Sequence, residues 1–416
     1  MAANLSFTSP APYDAAAVRR DFPILATTVN GHPLVYLDSG ASAQQPWAVI
    51  RAVEGYQKHS HANVHRGVHA LSQAATAAYE GARERVRRFI NARSVREIIF
   101  VRGTTEAINL VAQSYGRSCL KAGDEILITA LEHHANIVPW QMVCQQTGAT
   151  LKAAPINRRG ELEVEEFLKL LSPRTRVVAI AHVSNALGTV LPVKRLIEAA
   201  HAQGAVVLVD GAQAVPHSAV DVRALGADFY AFSGHKLYGP TGIGVLYGRE
   251  QLLEAMPPWQ GGGDMILTVS FDKTTYNELP YKFEAGTPNI SGAIGLAAAM
   301  DYVEGLGLQA IAAHEQRLLT LATAAVSRIP GIELIGTAAH KASILSFTLD
   351  GVHAHDLGTV LDTEGVAIRT GHHCAMPVMS FFGLAATARA SFGCYNTEED
   401  VARLTAALEK AREVFR

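Results

Sequence analysis

Lys236 stands in Ala231-Phe-Ser-Gly-His-Lys-Leu-Tyr-Gly-Pro-Thr-Gly-Ile-Gly244, a stretch with four glycines. A lysine amine is a poor nucleophile while protonated and forms Schiff bases once its charge is destabilised. Glycines beside it let backbone come close to a ligand. Taken alone, such a lysine reads most often as an exposed loop residue. Its meaning therefore depends on which other polar groups share its position in the fold. Asp210-Gly-Ala-Gln213, Arg102-Gly-Thr-Thr-Glu106, Glu132-His-His-Ala-Asn136 and His182-Val-Ser-Asn185 are the groups in question.

Together they match what a lysine Schiff base to pyridoxal phosphate requires. The phosphate needs backbone donors at a helix amino terminus, which Gly103 with Thr104 and Thr105 can open. Ser233 and His235 can complete that cup. The ring nitrogen needs a buried carboxylate to stay protonated, which makes the ring an electron sink; Asp210 is placed for it. Gln213 can donate to the ring's phenolic oxygen, and His133 or His134 can stack on its face. Each has a plainer role available: helix cap for Gly103-Thr-Thr105, turn residue for Asp210, core side chains for the histidines. Their order along the chain favours the cofactor.

Cys374 is a second candidate centre. A thiol reacts as thiolate, and Arg369, His372 and His373 lie close enough in sequence to favour the anion if they are close in space. Cys119, Cys144 and Cys394 have no such setting and read as structural. A metal site of His372, His373 and Cys374 is disfavoured, because adjacent residues rarely face one ion. No metal is expected.

These residues have to be carried by something. Ile98–Val101, Glu125–Thr129, Val177–Ala181, Ala205–Val209 and Asp228–Phe232 are short apolar runs, each ending at one of the polar clusters. Helical stretches separate them, which implies a largely parallel sheet with both faces covered. Open sheets of this kind bind ligands at the carboxyl ends of their strands. Leu34–Asp38 reads as a further buried strand, running into a small-residue loop. After Gly286 the pattern changes to two long helices, a strand at Ile344–Leu349, another at Val366–Arg369 and a closing helix from Glu398.

The expected architecture is α/β, a large domain with a mostly parallel sheet plus a smaller α+β domain. Residues 1–30 are expected to form an arm and helix packing on the smaller domain, 31–295 the large domain, and 296–416 the small domain carrying Cys374. With 416 residues and 49% hydrophobic content the chain can bury a sizeable core, and a net charge of −2 argues against a nucleic-acid partner. Met1–Pro12 has no secretory pattern, no run suits a membrane span, and four scattered thiols fit a reducing, cytoplasmic setting.

On these motifs, and on Arg369-Thr-Gly-His-His-Cys-Ala375, the chain resembles the group II cysteine desulfurases, within the class V aminotransferase group of fold-type I pyridoxal phosphate enzymes. The resemblance runs from about Asp21 to the carboxyl terminus. It implies Lys236 as the Schiff-base lysine and Cys374 as the residue that takes sulfur as a persulfide, with L-cysteine converted to L-alanine. It implies His133 as ring partner and catalytic residue, and Thr104, Thr105, Asp210, Gln213, Ser233 and His235 as cofactor ligands. Asn185, Arg369 and Arg389 would bind the substrate. Thr287 would reach the phosphate of a neighbouring subunit, making a homodimer. The acceptor would be a SufE-like protein serving SUF-type iron–sulfur cluster assembly. Selenocysteine lyase activity is the nearest alternative; a kynureninase-like hydrolase, an aminotransferase and an inactive scaffold are further ones.

Overall fold

The structure is a computed structural model that describes residues 13–415; the first part of the expected arm, residues 1–12, lies outside the described residues. Its centre is a seven-stranded sheet of β1 (Ile98–Val101), β2 (Glu125–Thr129), β3 (Thr150–Ala154), β4 (Thr175–Ala181), β5 (Val206–Asp210), β6 (Phe229–Ser233) and β7 (Gly244–Gly248). The order is β1-β7-β6-β5-β4-β2-β3. Strands β6, β5, β4, β2 and β3 run parallel, while β7 is antiparallel to both β1 and β6.

Alternation along these strands divides the core in two. Phe100, Leu127, Val178, Ile180, Val207, Val209, Tyr230 and Phe232 face one apolar layer. Their neighbours Ile99, Ile126, Ile128, Val177, Ala179, Leu208, Phe229 and Ala231 face the other. Successive strand residues point to opposite faces, so only runs that are apolar throughout can fill both layers. That is why β1 and β2 are legible to the residue. β3 and β7 were not expected, for physical reasons. β3 is an edge strand, half exposed and carrying Lys152, and β7 is only five residues long and bounded by glycines.

A second, antiparallel sheet holds β8 (Ile332–Ile335), β9 (Ile344–Leu349), β10 (Arg369–Gly371) and β11 (Thr387–Ser391), in the order β8-β9-β11-β10. Helices Leu308–Val326, Ala354–Thr363 and Glu398–Val414 supply its apolar cover through Leu318, Leu357 and Leu404. The single strand expected over Val366–Arg369 is two pieces. Val366–Ala367 pairs in parallel with Val35–Tyr36, and Arg369 begins β10. The expected Leu34–Asp38 strand thus joins the carboxyl-terminal part of the chain and not the large sheet.

Asp14 caps the helix Ala15–Arg20 by accepting the Ala17 N–H at 2.9 Å. Arg19 then pairs with Asp400 at 3.1 Å, and Phe22 is buried against Tyr238, Tyr302 and Tyr395. Arg83, wholly buried, pairs with Glu284, which also accepts the Phe100 N–H at 2.8 Å. Removing one partner of such a buried pair costs about 3–5 kcal/mol, so this link pins the Glu284–Asn289 segment to β1. Among the described residues no helix is long and apolar enough to cross a membrane.

Candidate active site

The carboxyl ends of the parallel strands open into a cleft of about 250 Å³. The strand order reverses between β2 and β4, and ligand crevices form at such switch points. Strands β2, β5 and β6 end on a polar residue (Thr129, Asp210 and Ser233), while β4 ends on Ala181 and polar residues follow in its turn. β5 delivers Asp210, β6 delivers Ser233 and then Lys236, and the turns after β2 and β4 deliver His133 and Asn185.

Lys236 is surrounded by protein except where it faces the cleft. Burial lowers its pKa to about 8, against the opposing pull of Asp210. About a tenth of the amine is therefore neutral at pH 7 and about half at pH 8, the form that can act as nucleophile or base. Asp210 is buried, and burial pushes its carboxyl up while Lys236 pulls it back. Its Oδ1 accepts the Ala212 N–H at 2.9 Å. Burial likewise holds the His133 and His235 rings down to about 4, so both are neutral. The Ala135 N–H donates to His133 Nδ1 at 3.0 Å, which fixes the ring's orientation over the cleft.

The helix Thr104–Val111 starts at the cleft. Ser233 Oγ accepts the Thr104 N–H at 2.8 Å and lies 2.8 Å from Thr104 Oγ1, so β6 and this helix are tied together where the anion cup was expected. Thr105 and His235 line the same end. Gln213 donates from Nε2 to the Gly40 carbonyl at 2.6 Å, and its Oε1 is buried without a partner. A buried amide oxygen left unpaired is costly, so the site is shaped for a polar group that a ligand would bring.

Cys374 enters from the second sheet's side and lines the cleft with Arg369 and Arg389. His373 and Cys374 have φ values of +52° and +53°, a left-handed conformation that residues with a side chain adopt at a cost. Three hydrogen bonds hold it. Asn185 Nδ2 donates to the His373 carbonyl at 2.6 Å, the His134 N–H donates to the Cys374 carbonyl at 2.7 Å, and the Met376 N–H donates to His134 Nε2 at 3.0 Å. Asn185 thus positions the cysteine loop as well as facing the cleft. His134, His372 and Cys374 bring possible metal-ligand atoms within 4.8 Å of one another. His373, one of the trio weighed from sequence, turns away to Thr387 at 2.8 Å. The bonded nitrogens of His134 and His372 already accept backbone N–H groups, so the observed work of this cluster is to hold the loop.

Thirteen residues proposed from sequence were Lys236, Cys374, His133, Thr104, Thr105, Asp210, Gln213, Ser233, His235, Thr287, Asn185, Arg369 and Arg389; twelve line this cleft. Thr287 does not. It is exposed and lines a separate cleft with Arg102, Glu106 and Trp259. Asp38 was missed: its Oδ1 accepts from Arg389 Nη2 at 3.2 Å. The signal was present, since Asp38 ends a short apolar run just as Asp210 does.

The family model for aminotransferase class-V matches residues 35–404. A probable cysteine desulfurase of Vibrio cholerae is 56% identical over 399 residues, covering 96% of this chain and 98% of the relative. A cysteine desulfurase of Synechococcus elongatus is 55% identical over 96% of this chain, which spans 64% of that longer relative. Among solved structures, the Escherichia coli cysteine desulfurase CsdA matches with a TM-score of 0.90 at 45% identity, over 97% of this chain and all of that one.

Proposed function

The chain belongs to the aminotransferase class-V family, among its cysteine desulfurases, and from that premise we propose that it converts L-cysteine to L-alanine and moves the sulfur onto Cys374. The observation that carries this reading is one cleft faced by Lys236, Asp210 and Cys374, two groups from the large sheet and one from the far side.

Pyridoxal 5'-phosphate is the cofactor, and the chain's own groups fit it. Asp210 is a buried carboxylate for the ring nitrogen, His133 a neutral ring for its face, and the unpaired amide of Gln213 a partner for its polar edge. The start of the Thr104–Val111 helix, with Thr105, Ser233 and His235, would hold the phosphate. When bound, the cofactor supplies an electron sink for the substrate's α-carbon.

Arg389 receives the substrate carboxylate. Its Nη1 is engaged by the Asn185 carbonyl at 2.7 Å, while Nε is buried and unpaired, a donor waiting for an acceptor. Arg369 stands beside it. Lys236, neutral in part near pH 8, takes the α-proton and returns it. Cys374 attacks the substrate sulfur as thiolate; a sulfur–sulfur bond forms as the carbon–sulfur bond breaks. The net change is L-cysteine plus the Cys374 thiol giving L-alanine plus a Cys374 persulfide. Supplying L-cysteine with a reductant and measuring alanine and sulfide together tests this; neither product from cofactor-loaded protein rejects it.

Several assignments extend the reading. Thr287, exposed and outside its own cleft, would contact the phosphate of a second copy in a homodimer, which sedimentation would detect. The half-exposed Cys374 would pass its sulfur to a SufE-like acceptor for SUF-type iron–sulfur assembly. Four free cysteines suit a reducing cytoplasm. The chain would divide into an arm of residues 1–30, a large domain of 31–295 and a small domain of 296–416, with Val35–Tyr36 paired to the small domain's Val366–Ala367.

A further inference from the structure

Glu132 is wholly buried just before the cleft residue His133, and the chemistry assigned to the site makes no use of it. It stands where the neighbouring strands β2 and β4 part: their last registered pair is Ile128 with Ala179. Beyond that pair the Glu132 carboxylate joins the two strand ends. Its Oε1 accepts the Thr129 hydroxyl at 2.6 Å, from the end of β2, and the Ala181 N–H at 3.1 Å, from the end of β4. Its Oε2 accepts Asn136 Nδ2 at 2.7 Å, from the far end of its own turn. The two side-chain donors are themselves fixed. Thr129 Oγ1 accepts the Leu131 N–H at 3.2 Å, and Asn136 Oδ1 accepts Trp140 Nε1 at 3.0 Å. Burial pushes the Glu132 carboxyl up to about 7 while the three donors pull it down, so at pH 8 the anion prevails.

The two turns that Glu132 joins carry the anchors of the cysteine loop. The turn after β2 presents His133 to the cleft and gives the His134 N–H to the Cys374 carbonyl at 2.7 Å. The turn after β4 presents Asn185, whose Nδ2 donates to the His373 carbonyl at 2.6 Å. We propose that Glu132 is a positioning residue that sets the spacing of these two turns, and so holds both the His133 ring over the cleft and the Cys374 loop across from it. It does not line the cleft, and it acts through the backbone of the turns. A carboxylate is required because all three of its partners are donors. The amide of a glutamine there would turn its own N–H groups toward either the Ala181 N–H or Asn136 Nδ2. Neither can reverse, since the first is backbone and the second is held by Trp140. The inference rests on reading His133 as the cofactor's ring partner and Cys374 as the sulfur acceptor.

The test is Glu132→Gln in the cofactor-loaded enzyme at pH 8, with two readouts that do not depend on turnover. One is the visible circular dichroism of the bound cofactor, which reports how its ring is seated. The other is the rate of iodoacetamide alkylation at each cysteine, followed by peptide mass spectrometry. Loss of one hydrogen bond to a charged group is worth about tenfold. Cys374 should therefore react about tenfold faster and the dichroism band should change, while the buried Cys394 stays protected. Cys374 and Cys394 rising together would mean general loosening and overturns the proposal, as does an unchanged Cys374 rate or an unchanged band. Thr129→Val removes one donor and leaves the carboxylate, and it should speed Cys374 alkylation about threefold. No change there overturns the proposal even if Glu132→Gln does not fold. An unmodified enzyme that releases no alanine from L-cysteine breaks the reading of Cys374 as sulfur acceptor, and the alkylation rates still decide whether Glu132 holds its loop.

Discussion

The cofactor cradle and the Cys374 loop face each other across one cleft but are built under opposite physical conditions. The cradle hangs from strand ends that are buried on both sides, and Ser233, Asp210 and Gln213 each carry hydrogen bonds within it. None of these three residues has a positive φ. The loop instead has two consecutive side-chain-bearing residues at positive φ, His373 and Cys374, each costing on the order of 1–3 kcal/mol. The strain persists because Asn185 and His134, both from strand ends of the large sheet, bond its carbonyls. The difference teaches that the reactive thiol is positioned by the cradle and not by its own sheet. A ground-state cofactor needs a rigid seat, whereas a thiol that must give its sulfur away needs exposure and can be held by a few removable contacts.

Four experiments sharpen or break that contrast. Lys236→Ala removes the one group in the cradle that moves protons, and L-cysteine turnover should fall by at least about 10³-fold, measured as alanine release. Residual activity near the unmodified rate would mean that the cradle is not the chemical centre. Cys374→Ala should lower sulfur transfer from L-cysteine by roughly 10²-fold or more while the cofactor's absorbance is unchanged, because the seat does not depend on the loop. Loss of the cofactor in that variant would erase the distinction between the regions. Asn185→Ala withdraws a loop anchor that sits in the cradle. A buried hydrogen bond of this kind contributes about 1–1.5 kcal/mol, so kcat should fall about tenfold, together with faster alkylation of Cys374.

The smallest effect concerns pH. Burial lowers the Lys236 pKa from 10.5 to about 8, so the neutral amine increases as pH rises through about 8. Capture of cofactor by cofactor-free protein should speed up about fivefold between pH 7 and pH 8 and then level off. A rate still climbing tenfold per unit above pH 9 would show an unshifted lysine. The same shift has a stability consequence of fixed sign. Between about pH 8 and 10.5 the unfolded chain binds more protons at this site than the folded one, so Lys236 makes the cofactor-free fold more stable as pH rises through that window.

Much of the cradle was legible because one rule generated it. Apolar runs that fill both layers of a parallel sheet must stop being apolar where the cover ends, and polar residues within a few positions of each run's end face the crevice. Asp210, Ser233 with Lys236, His133 and Asn185 were all reached that way. The same rule applied to Leu34–Asp38 would have found Asp38, but that strand belongs to another sheet, and only the pairing of Val35–Tyr36 with Val366–Ala367 shows that its end meets the same cleft. Edge strand β3 escaped because an edge need not be apolar on both faces, and the interior strand β7 because glycines bound it at both ends.

By itself the sequence determined the alternation of strands and helices, the residue types at each strand end, and the pairing of a lysine with a distant cysteine. These follow from local periodicity and from chemistry that depends on residue type. Tertiary structure alone decided which distant groups meet: Asp38 with Arg369 and Arg389, Asn185 with the His373 carbonyl, and His134 rather than His373 beside Cys374. Such contacts join residues about 190 to 350 positions apart, as in Asn185 with His373 and Asp38 with Arg389. No local pattern encodes them, because they come into being only when loops from two separately covered sheets meet at one cleft.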